Sequence, residues 1–311
     1  MNAGLYFITY VSLLVFGAAV AVRFLRIRRY PLNVRWEIYP IPHEGERSRY
    51  GGSKLEETDW WTRAHKPDYG MELKFMFKEM ILIKGLWDHN RALWWRSFPF
   101  HFGLYLIAVF IALLGLSALM QLAGVNFDLK AGGAAAAFAV VTTAIGLSGL
   151  LLCAIGCLEL LQARATDPNL RPYTNFSHFF NLLFILTAVL LTLGVWVAGD
   201  TTFASLRGYI AGLLTFDRAA PAPGAMAAAA IVAGSLLIAY IPLTHMSHFF
   251  VKWFTWHRIR WDDEPNVRGG RIEVMIQKAL QYPVSWQGKH IRGDGKRTWA
   301  DVAVEDYKEQ G

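Results

Sequence analysis

The fold of this chain is decided by 25 consecutive residues without a charged side chain, FPFHFGLYLIAVFIALLGLSALMQL at residues 98–122. A helix of about 20 apolar residues is long enough to cross the hydrocarbon core of a membrane. The stretch therefore predicts a transmembrane helix, and its fourth residue is a histidine, His101. An ionisable side chain inside a span is costly, so His101 indicates a functional site.

Four further stretches are similarly long and largely apolar, and the five predicted spans are 5–24, 98–122, 134–161, 176–198 and 226–250. With 54% hydrophobic residues and a mean hydropathy of +0.28, the chain is too apolar for a soluble domain. The sequence predicts an all-α integral membrane protein, a bundle of five transmembrane helices. Residues 19–21 resemble a signal-peptide cleavage site, but the basic n-region is missing, so we expect the first span to be retained as an anchor.

Basic residues are distributed unevenly between the connections. Segment 25–97, connection 162–175 and the region after 252 are rich in Arg and Lys, whereas 123–133 and 199–225 are poor in them. Because basic loops stay in the cytoplasm, we expect the N-terminus outside and the C-terminus inside. The expected location is the cytoplasmic (inner) membrane of a bacterium or archaeon. Topology and anionic lipid explain the net charge of +7, so nucleic acid is not an expected partner.

This topology predicts a membrane domain, residues 1–252, and a cytoplasmic C-terminal tail for partner docking, residues 253–311. The long cytoplasmic loop 25–97 holds the aromatic residues Trp36, Tyr39, Tyr50, Trp60 and Trp61. Exposed aromatics are typical of a docking surface, and a self-packed cap is the alternative. Residues 71–87 place apolar side chains at helical spacing between lysines, which predicts an amphipathic interfacial helix. The tail is predicted to be either an arm that orders on a partner or a disordered segment.

Two cysteines, Cys153 and Cys157, lie four residues apart in the third span. This spacing places them on one helix face, where they cannot easily form a disulfide and lack partners for a zinc site. Together with Gly146, Gly149 and Gly156 they predict a stripe of small residues for helix packing. The chain carries no ligand set for an iron–sulfur cluster, so any cluster belongs to a partner.

A second histidine, His248, lies near the end of the fifth predicted span. His101 follows Arg96 by five residues and His248 precedes Lys252 by four, so each lies about 6–8 Å inside a charged boundary. Two imidazoles at equal depth on facing helices are the arrangement that an axially bis-ligated haem b requires. We therefore predict His101 and His248 as axial ligands of the haem iron, with two interfacial histidines as the alternative.

The residues around these histidines resemble a known family. The segments SFPFHFGLY at 97–105 and MSHFFVKW at 246–253 look like the gamma (cytochrome b) subunit of respiratory nitrate reductases. The segments WEIYPIPHEG at 36–45 and WHRIRWDDEP at 256–265 resemble more closely the membrane cytochromes of heterodisulfide-reductase-like complexes, the Dsr, Hmc and Tmc type of sulfate-reducing bacteria. The resemblance covers nearly the whole chain. It implies a haem b subunit that exchanges electrons between (mena)quinone and an iron–sulfur subunit.

The chain departs from this family in one respect. Subunits of the family usually hold two stacked haems, and the positions of the distal ligands are Ile111 and Ala230 here. Neither side chain can ligate iron, so the resemblance supports one haem, held by His101 and His248.

Two more histidines, His178 and His245, are predicted at about the same cytoplasmic depth. They could form a quinone pocket, in which an imidazole hydrogen-bonds a quinone carbonyl. They could instead ligate a second haem b, or they could cap a helix end or pair with Glu159. The sequence leaves these three interpretations open.

Four residues are predicted to support the haem. Arg91, Arg96 and Lys252 lie where propionates would emerge, and a guanidinium can hold a carboxylate through two hydrogen bonds. A generic interface role for these cations is the alternative. Gly103 removes a side chain two residues beyond His101, which would let the macrocycle approach the helix.

The sequence thus predicts an electron-transfer subunit of a quinone-linked respiratory oxidoreductase rather than a stand-alone enzyme, and no catalytic residue is assigned. Its expected partners are the lipid bilayer, (mena)quinone, a cytoplasmic iron–sulfur subunit of the heterodisulfide-reductase-like type and further membrane or periplasmic cytochrome subunits. The alternative is a non-redox membrane anchor of a multi-subunit complex. A transporter is disfavoured, because the polar residues gather at one end of the spans.

Overall fold

The computed structural model describes residues 2–30, 50, 57–59, 69–255, 267–288 and 291–304, and these are almost entirely helical. In chain order the helices are α1 (Asn2–Arg28), α2 (Tyr69–Ile81), α3 (Lys84–His89), α4 (Arg91–Leu122), α5 (Gly133–Thr166), α6 (Phe176–Val197), α7 (Ala204–Thr215), α8 (Ala225–Tyr240), α9 (His248–Thr255), α10 (Arg271–Leu280) and α11 (Trp299–Ala303). A short antiparallel ribbon joins β1 (Gln287–Gly288) to β2 (Ile291–Arg292).

Five helices in the described residues are long and apolar enough to cross a membrane. They are α1, α4, α5, α6 and the segment Ala225–Leu243, which comprises α8 and the turn that follows it. A helix satisfies its own backbone hydrogen bonds, which is what the hydrocarbon core of a bilayer demands. The predicted all-α chain with five helices long and apolar enough to span a membrane is therefore confirmed, and the first four of them lie on the predicted spans. The orientation of the bundle stays a prediction.

The fifth span is shorter than the sequence predicts. Helix α8 ends at Tyr240, a 3-10 turn covers Ile241–Leu243, and the apolar span ends there rather than at residue 250. Pro242 lies in this turn, and proline lacks the backbone N–H and collides with the preceding helical turn. His248 is consequently the first residue of a separate helix, α9. The prediction of a single helix over 226–250 is therefore wrong. The equal depths predicted for His101 and His248 depend on that single helix.

The chain divides into two compact units. The first comprises Met1–Val20 and Lys78–Met246, and the second comprises Ala21–Phe77 and Ser247–Gly311. His101, His178 and His245 belong to the first unit, whereas His248 belongs to the second.

Helices α4 and α5 form the closest antiparallel pair of the first unit. A methyl group added to Gly156 would lie 2.4 Å from the backbone nitrogen of Phe100, and one added to Gly103 would lie 2.4 Å from the backbone nitrogen of Cys153. Cys153 and Cys157 are fully buried and carry free thiols. Small residues let two backbones approach this closely. The predicted packing stripe of α5 is therefore confirmed.

The other helices of the first unit pack in sequence around this pair. Helix α5 packs on α6, α6 packs on α8, and α7 contacts both α4 and α8. In the part of the chain that the structure describes, α4 and α8 make almost no contact with each other. Helix α7 thus bridges two spans that make little direct contact in the described residues.

Helix α7 occupies a segment that the sequence suggests is only a connecting loop. Asp200 accepts hydrogen bonds from the backbone N–H groups of Ala204 and Ser205, at 2.7 and 2.8 Å, which starts the helix. Arg207 is 6% exposed, and its Nε donates to Oε1 of Gln121 on α4 at 3.1 Å. Burial lowers the pKa of Arg207 from its usual value.

Hydroxyl groups join α7 and α8 to the first span. The Thr9 hydroxyl lies 2.7 Å from the Tyr209 hydroxyl and 2.9 Å from that of Ser235. Tyr6 packs its ring against Tyr209, with centroids 5.3 Å apart. These polar contacts are at helix–helix interfaces, where side-chain hydrogen bonds hold spans together.

The predicted interfacial helix over 71–87 is divided into α2 and α3. Ile83 interrupts it with a φ of 49°, a left-handed conformation that a β-branched residue adopts at a cost. Trp94 at the start of α4 donates its indole N–H to the carbonyl of Leu82 at 2.8 Å. The placement of these helices at a membrane surface stays a prediction.

In the second unit, the described part of the C-terminal tail is folded rather than extended. Val284 is 1% exposed, and the rings of Trp286 and Trp299 lie 6.0 Å apart. In the predicted docking loop, Tyr50 is 67% exposed. The other aromatic residues of that loop, Trp36, Tyr39, Trp60 and Trp61, lie outside the described residues.

Candidate functional site

His101 is held by the helix on which it lies. Its Nδ1 is 2.8 Å from the backbone carbonyl oxygen of Ser97 and 3.2 Å from the Ser97 hydroxyl. A carbonyl oxygen can only accept, so Nδ1 carries the proton and the lone pair of the ring is on Nε2. The ring is half-buried and stands edge-on to Phe100, with centroids 5.0 Å apart. Histidines that bind metals characteristically donate their other ring N–H to such a carbonyl.

His178 has the opposite hydrogen-bond role. It is the third residue of α6, and its Nδ1 accepts the backbone N–H of Asn175, the residue before the helix, at 3.1 Å. The first N–H groups of a helix lack helical acceptors, and a side chain at this position can supply one. Nδ1 therefore carries the lone pair, and in the neutral ring the proton is on Nε2. His178 caps the helix, one of the roles that the sequence leaves open for it.

His178 and His245 are brought together, with ring centroids 5.2 Å apart. Asn181 lies on α6, is 4% exposed and has its Nδ2 3.4 Å from Nε2 of His245. The Tyr240 hydroxyl donates to Oδ1 of Asn181 at 2.8 Å, which orients the amide so that its nitrogen faces His245. We call His178, Asn181, Tyr240 and His245 the histidine corner.

Sequence reasoning misses Asn181 and Tyr240. Asn181 is a single polar residue in an apolar run, and Tyr240 is an ordinary residue for the end of a span. The one signal for Asn181 is that a buried amide in a membrane span needs hydrogen-bond partners.

A cation and two aromatic rings adjoin the histidine corner. Arg164, half-buried near the end of α5, is within electrostatic range of His178. Within the described ranges, no ion pair of Arg164 is present. Phe180 and Phe184 of α6 each lie 5.6 Å from the Tyr240 ring. The corner therefore combines hydrogen-bond donors with flat apolar surfaces.

Glu159 does not take the role that the sequence offers it. No hydrogen bond or ion pair joins Glu159 to His178 or His245 in the part of the structure that is described. The histidines are instead organised by Asn175 and Asn181, both on or next to α6.

The residues predicted to support haem propionates have other contacts in the structure. The Arg91 guanidinium lies over the Trp87 ring at 4.4 Å, and Arg96 lies 4.0 Å from the Asp167 carboxylate. Lys252 lies on α9 in the second unit. The space left by Gly103 is filled by α5, so the absence of a side chain there serves helix packing. Propionate binding by these cations stays a prediction.

His248 is exposed at the start of α9. Among the residues that the structure describes, no group of three or more His, Cys, Asp or Glu side chains is arranged to hold a metal ion. No protein-family model matches the chain, and no curated protein or solved structure is similar to it. The chemistry proposed for the site therefore rests on the chain's own residues.

Proposed function

We propose that this chain is a haem b subunit of a membrane redox complex, in which it carries electrons between the (mena)quinone pool and a cytoplasmic iron–sulfur subunit. The observation that carries the proposal is the hydrogen bond of 2.8 Å from Nδ1 of His101 to the Ser97 carbonyl. It gives His101 the tautomer of a metal ligand, within a helix that is long and apolar enough to cross a membrane.

An axially bis-ligated haem b needs a second imidazole on the other face of its ring. In helix bundles, cofactors are held between facing helices by inward side chains. The sequence pairs His101 with His248, and the family resemblance implies the same pair. A bound haem would supply a one-electron carrier between two-electron quinone chemistry and iron–sulfur clusters.

The remaining parts of the proposal come from charge and composition. The basic segments orient the bundle with the C-terminus in the cytoplasm of a bacterium or archaeon. Since the sequence holds no iron–sulfur ligand set, the clusters are assigned to a partner subunit of the heterodisulfide-reductase-like type. The loop 25–97 and the tail after 252 are the proposed docking segments.

The test is a reduced-minus-oxidised absorption spectrum of the purified chain, with haem counted by the pyridine haemochrome assay. We expect a b-type α band in the native chain and at least a roughly tenfold loss of haem in His101→Ala and in His248→Ala, since loss of a metal ligand or its support costs about 10–100-fold in affinity. His89→Ala is the matched control, because His89 is an exposed histidine that ends α3.

Two outcomes would contradict the proposal. The absence of a b-type band in the native chain would leave the non-redox membrane anchor as the function. Retention of haem in His101→Ala, with helicity and a monodisperse elution profile intact, would remove His101 as the ligand.

A further inference from the structure

We infer that the histidine corner binds the head group of a quinone through hydrogen-bond donors, and that it does not ligate a second haem. This inference rests on the proposed function, since it names the place where that function meets its lipid substrate. It chooses between two interpretations that the sequence leaves open for His178 and His245.

The first argument for a quinone comes from the hydrogen bond at His178. The backbone N–H of Asn175 occupies the Nδ1 lone pair at 3.1 Å, so the neutral ring offers an N–H donor at Nε2. An iron ligand must offer a lone pair, whereas a quinone carbonyl oxygen accepts a hydrogen bond from an N–H donor. The helix cap therefore prepares His178 for an acceptor oxygen.

The buried amide carries the second step. Tyr240 orients Asn181, and the Asn181 amide nitrogen faces Nε2 of His245 at 3.4 Å. This hydrogen bond uses the Nε2 lone pair of His245, the atom through which histidine commonly binds iron. A second haem in the corner would have to break both this hydrogen bond and the cap of α6.

The third argument for a quinone comes from the residues around the histidine corner. A quinone head group is a flat apolar ring that carries two carbonyl oxygens. The rings of Phe180, Phe184 and Tyr240 supply flat surfaces, and Arg164 adds a cation within electrostatic range of His178. Ligand sites of this kind are mostly apolar, with a few placed polar groups that fix the orientation.

Substitutions at His178 separate binding from helix capping. Glutamine and glutamate both occur at the third position of a capping box, because each can accept the N–H of the residue before the helix. Glutamine also keeps an N–H donor, whereas ionised glutamate has none. His178→Gln therefore keeps both roles of the histidine, and His178→Glu keeps only the cap.

The experiment measures binding of a short-chain menaquinone to the full chain in nanodiscs, by quenching of intrinsic tryptophan fluorescence. We expect His178→Gln to bind within about threefold of the native chain and His178→Glu to bind at least roughly tenfold more weakly, which is the effect of losing one hydrogen bond of about 1.4 kcal/mol. Asn181→Leu should weaken binding as well, because it removes the hydrogen bond that the Asn181 amide makes to Nε2 of His245.

Three results would overturn the inference. The first is equal binding by the native chain, His178→Gln and His178→Glu. The second is a content of two haems per chain that falls to one in His178→Glu. The third is a His178→Glu variant that binds menaquinone as the native chain does but no longer binds phosphatidylglycerol. This result would assign the hydrogen-bond donors to a lipid phosphate.

A further variant separates this inference from the proposed function. His101→Ala should lose haem and keep menaquinone binding. If the native chain contains no haem, but it binds menaquinone more tightly than His178→Glu does, the redox proposal fails and the quinone site stands.

Discussion

His101 on α4 and His178 on α6 are both half-buried histidines, yet their ring nitrogens have opposite roles. Nδ1 of His101 donates to the Ser97 carbonyl, whereas Nδ1 of His178 accepts the backbone N–H of Asn175. Inside a helix every backbone N–H is already used, and only carbonyl lone pairs are left for a side chain. In the first turn the situation is reversed, because N–H groups lack acceptors. Position along the helix therefore decides whether a histidine offers a lone pair or a proton.

The largest effect is expected where α4, the helix that carries His101, packs against α5. Gly103 packs against the backbone of α5, so Gly103→Leu should overpack the α4–α5 contact and destabilise the protein by about 3 kcal/mol or more. Gly115→Leu on the same helix is the control, since nothing lies within 4 Å of a methyl group added there. Thermal loss of monodisperse protein measures both variants. Equal loss in the two would contradict the packing role of Gly103.

A smaller effect is expected in the histidine corner, which contains His178. Asn181→Leu leaves the Tyr240 hydroxyl and Nε2 of His245 without this amide, which should lower the free energy of unfolding by about 1–2 kcal/mol. In a double-mutant cycle with Tyr240→Phe, the coupling should be about 0.6 kcal/mol. Thr187→Val is the control, because within the described residues the Thr187 hydroxyl bonds the carbonyl of Leu183 on its own helix and no other group. Strictly additive effects would show that Tyr240 does not orient the amide.

The smallest effect compares two residues that cap a helix from its third position. Asp301 of α11 accepts the backbone N–H of Thr298 at 2.8 Å, as His178 accepts that of Asn175. The backbone N–H and the hydroxyl of Thr298, each 2.8 Å from the Asp301 carboxylate, hold the pKa of Asp301 below its usual value of 3.8. Because the folded pKa is lowered, the cap stabilises α11 above pH 3.8 and is lost as the pH falls through the folded pKa.

An NMR titration of the Asp301 carboxyl carbon would test this expectation. The midpoint should lie below 3.8, and the α11 amides should lose exchange protection over the same pH range. Asp301→Asn should remove this pH dependence. A midpoint at or above the usual aspartate value would contradict the cap.

The number of apolar helices and the packing stripe of α5 could be predicted, because they depend on local amino-acid composition and on the spacing of small residues. Long apolar runs identify membrane helices, and small residues three or four apart identify a close contact such as Gly156 on Phe100. The end of the fifth span was missed for a local reason. The apolar run continues past Pro242, so hydropathy extends the span where the missing N–H ends the helix.

The candidate site was less predictable, because it depends on contacts between distant segments. Helix α7 is too short to register as a span, and Arg207 reads as a loop residue although it is buried. Asn181 is one polar residue in an apolar run and has no periodic pattern. The histidines themselves are visible in the sequence, but their tautomers depend on whether a backbone carbonyl or N–H lies beside the ring.

The short fifth span also concerns the lipid around the protein. Ala225–Leu243 has 19 residues, or about 28 Å of helix, whereas α4 has 32 residues and is about 48 Å long. A bilayer that matches the first is too thin for the second, so α4 must tilt or extend into the head groups. Membrane thickness thus acts directly on the helix that carries His101, and lipids of different chain length are a means to change its tilt without altering any residue.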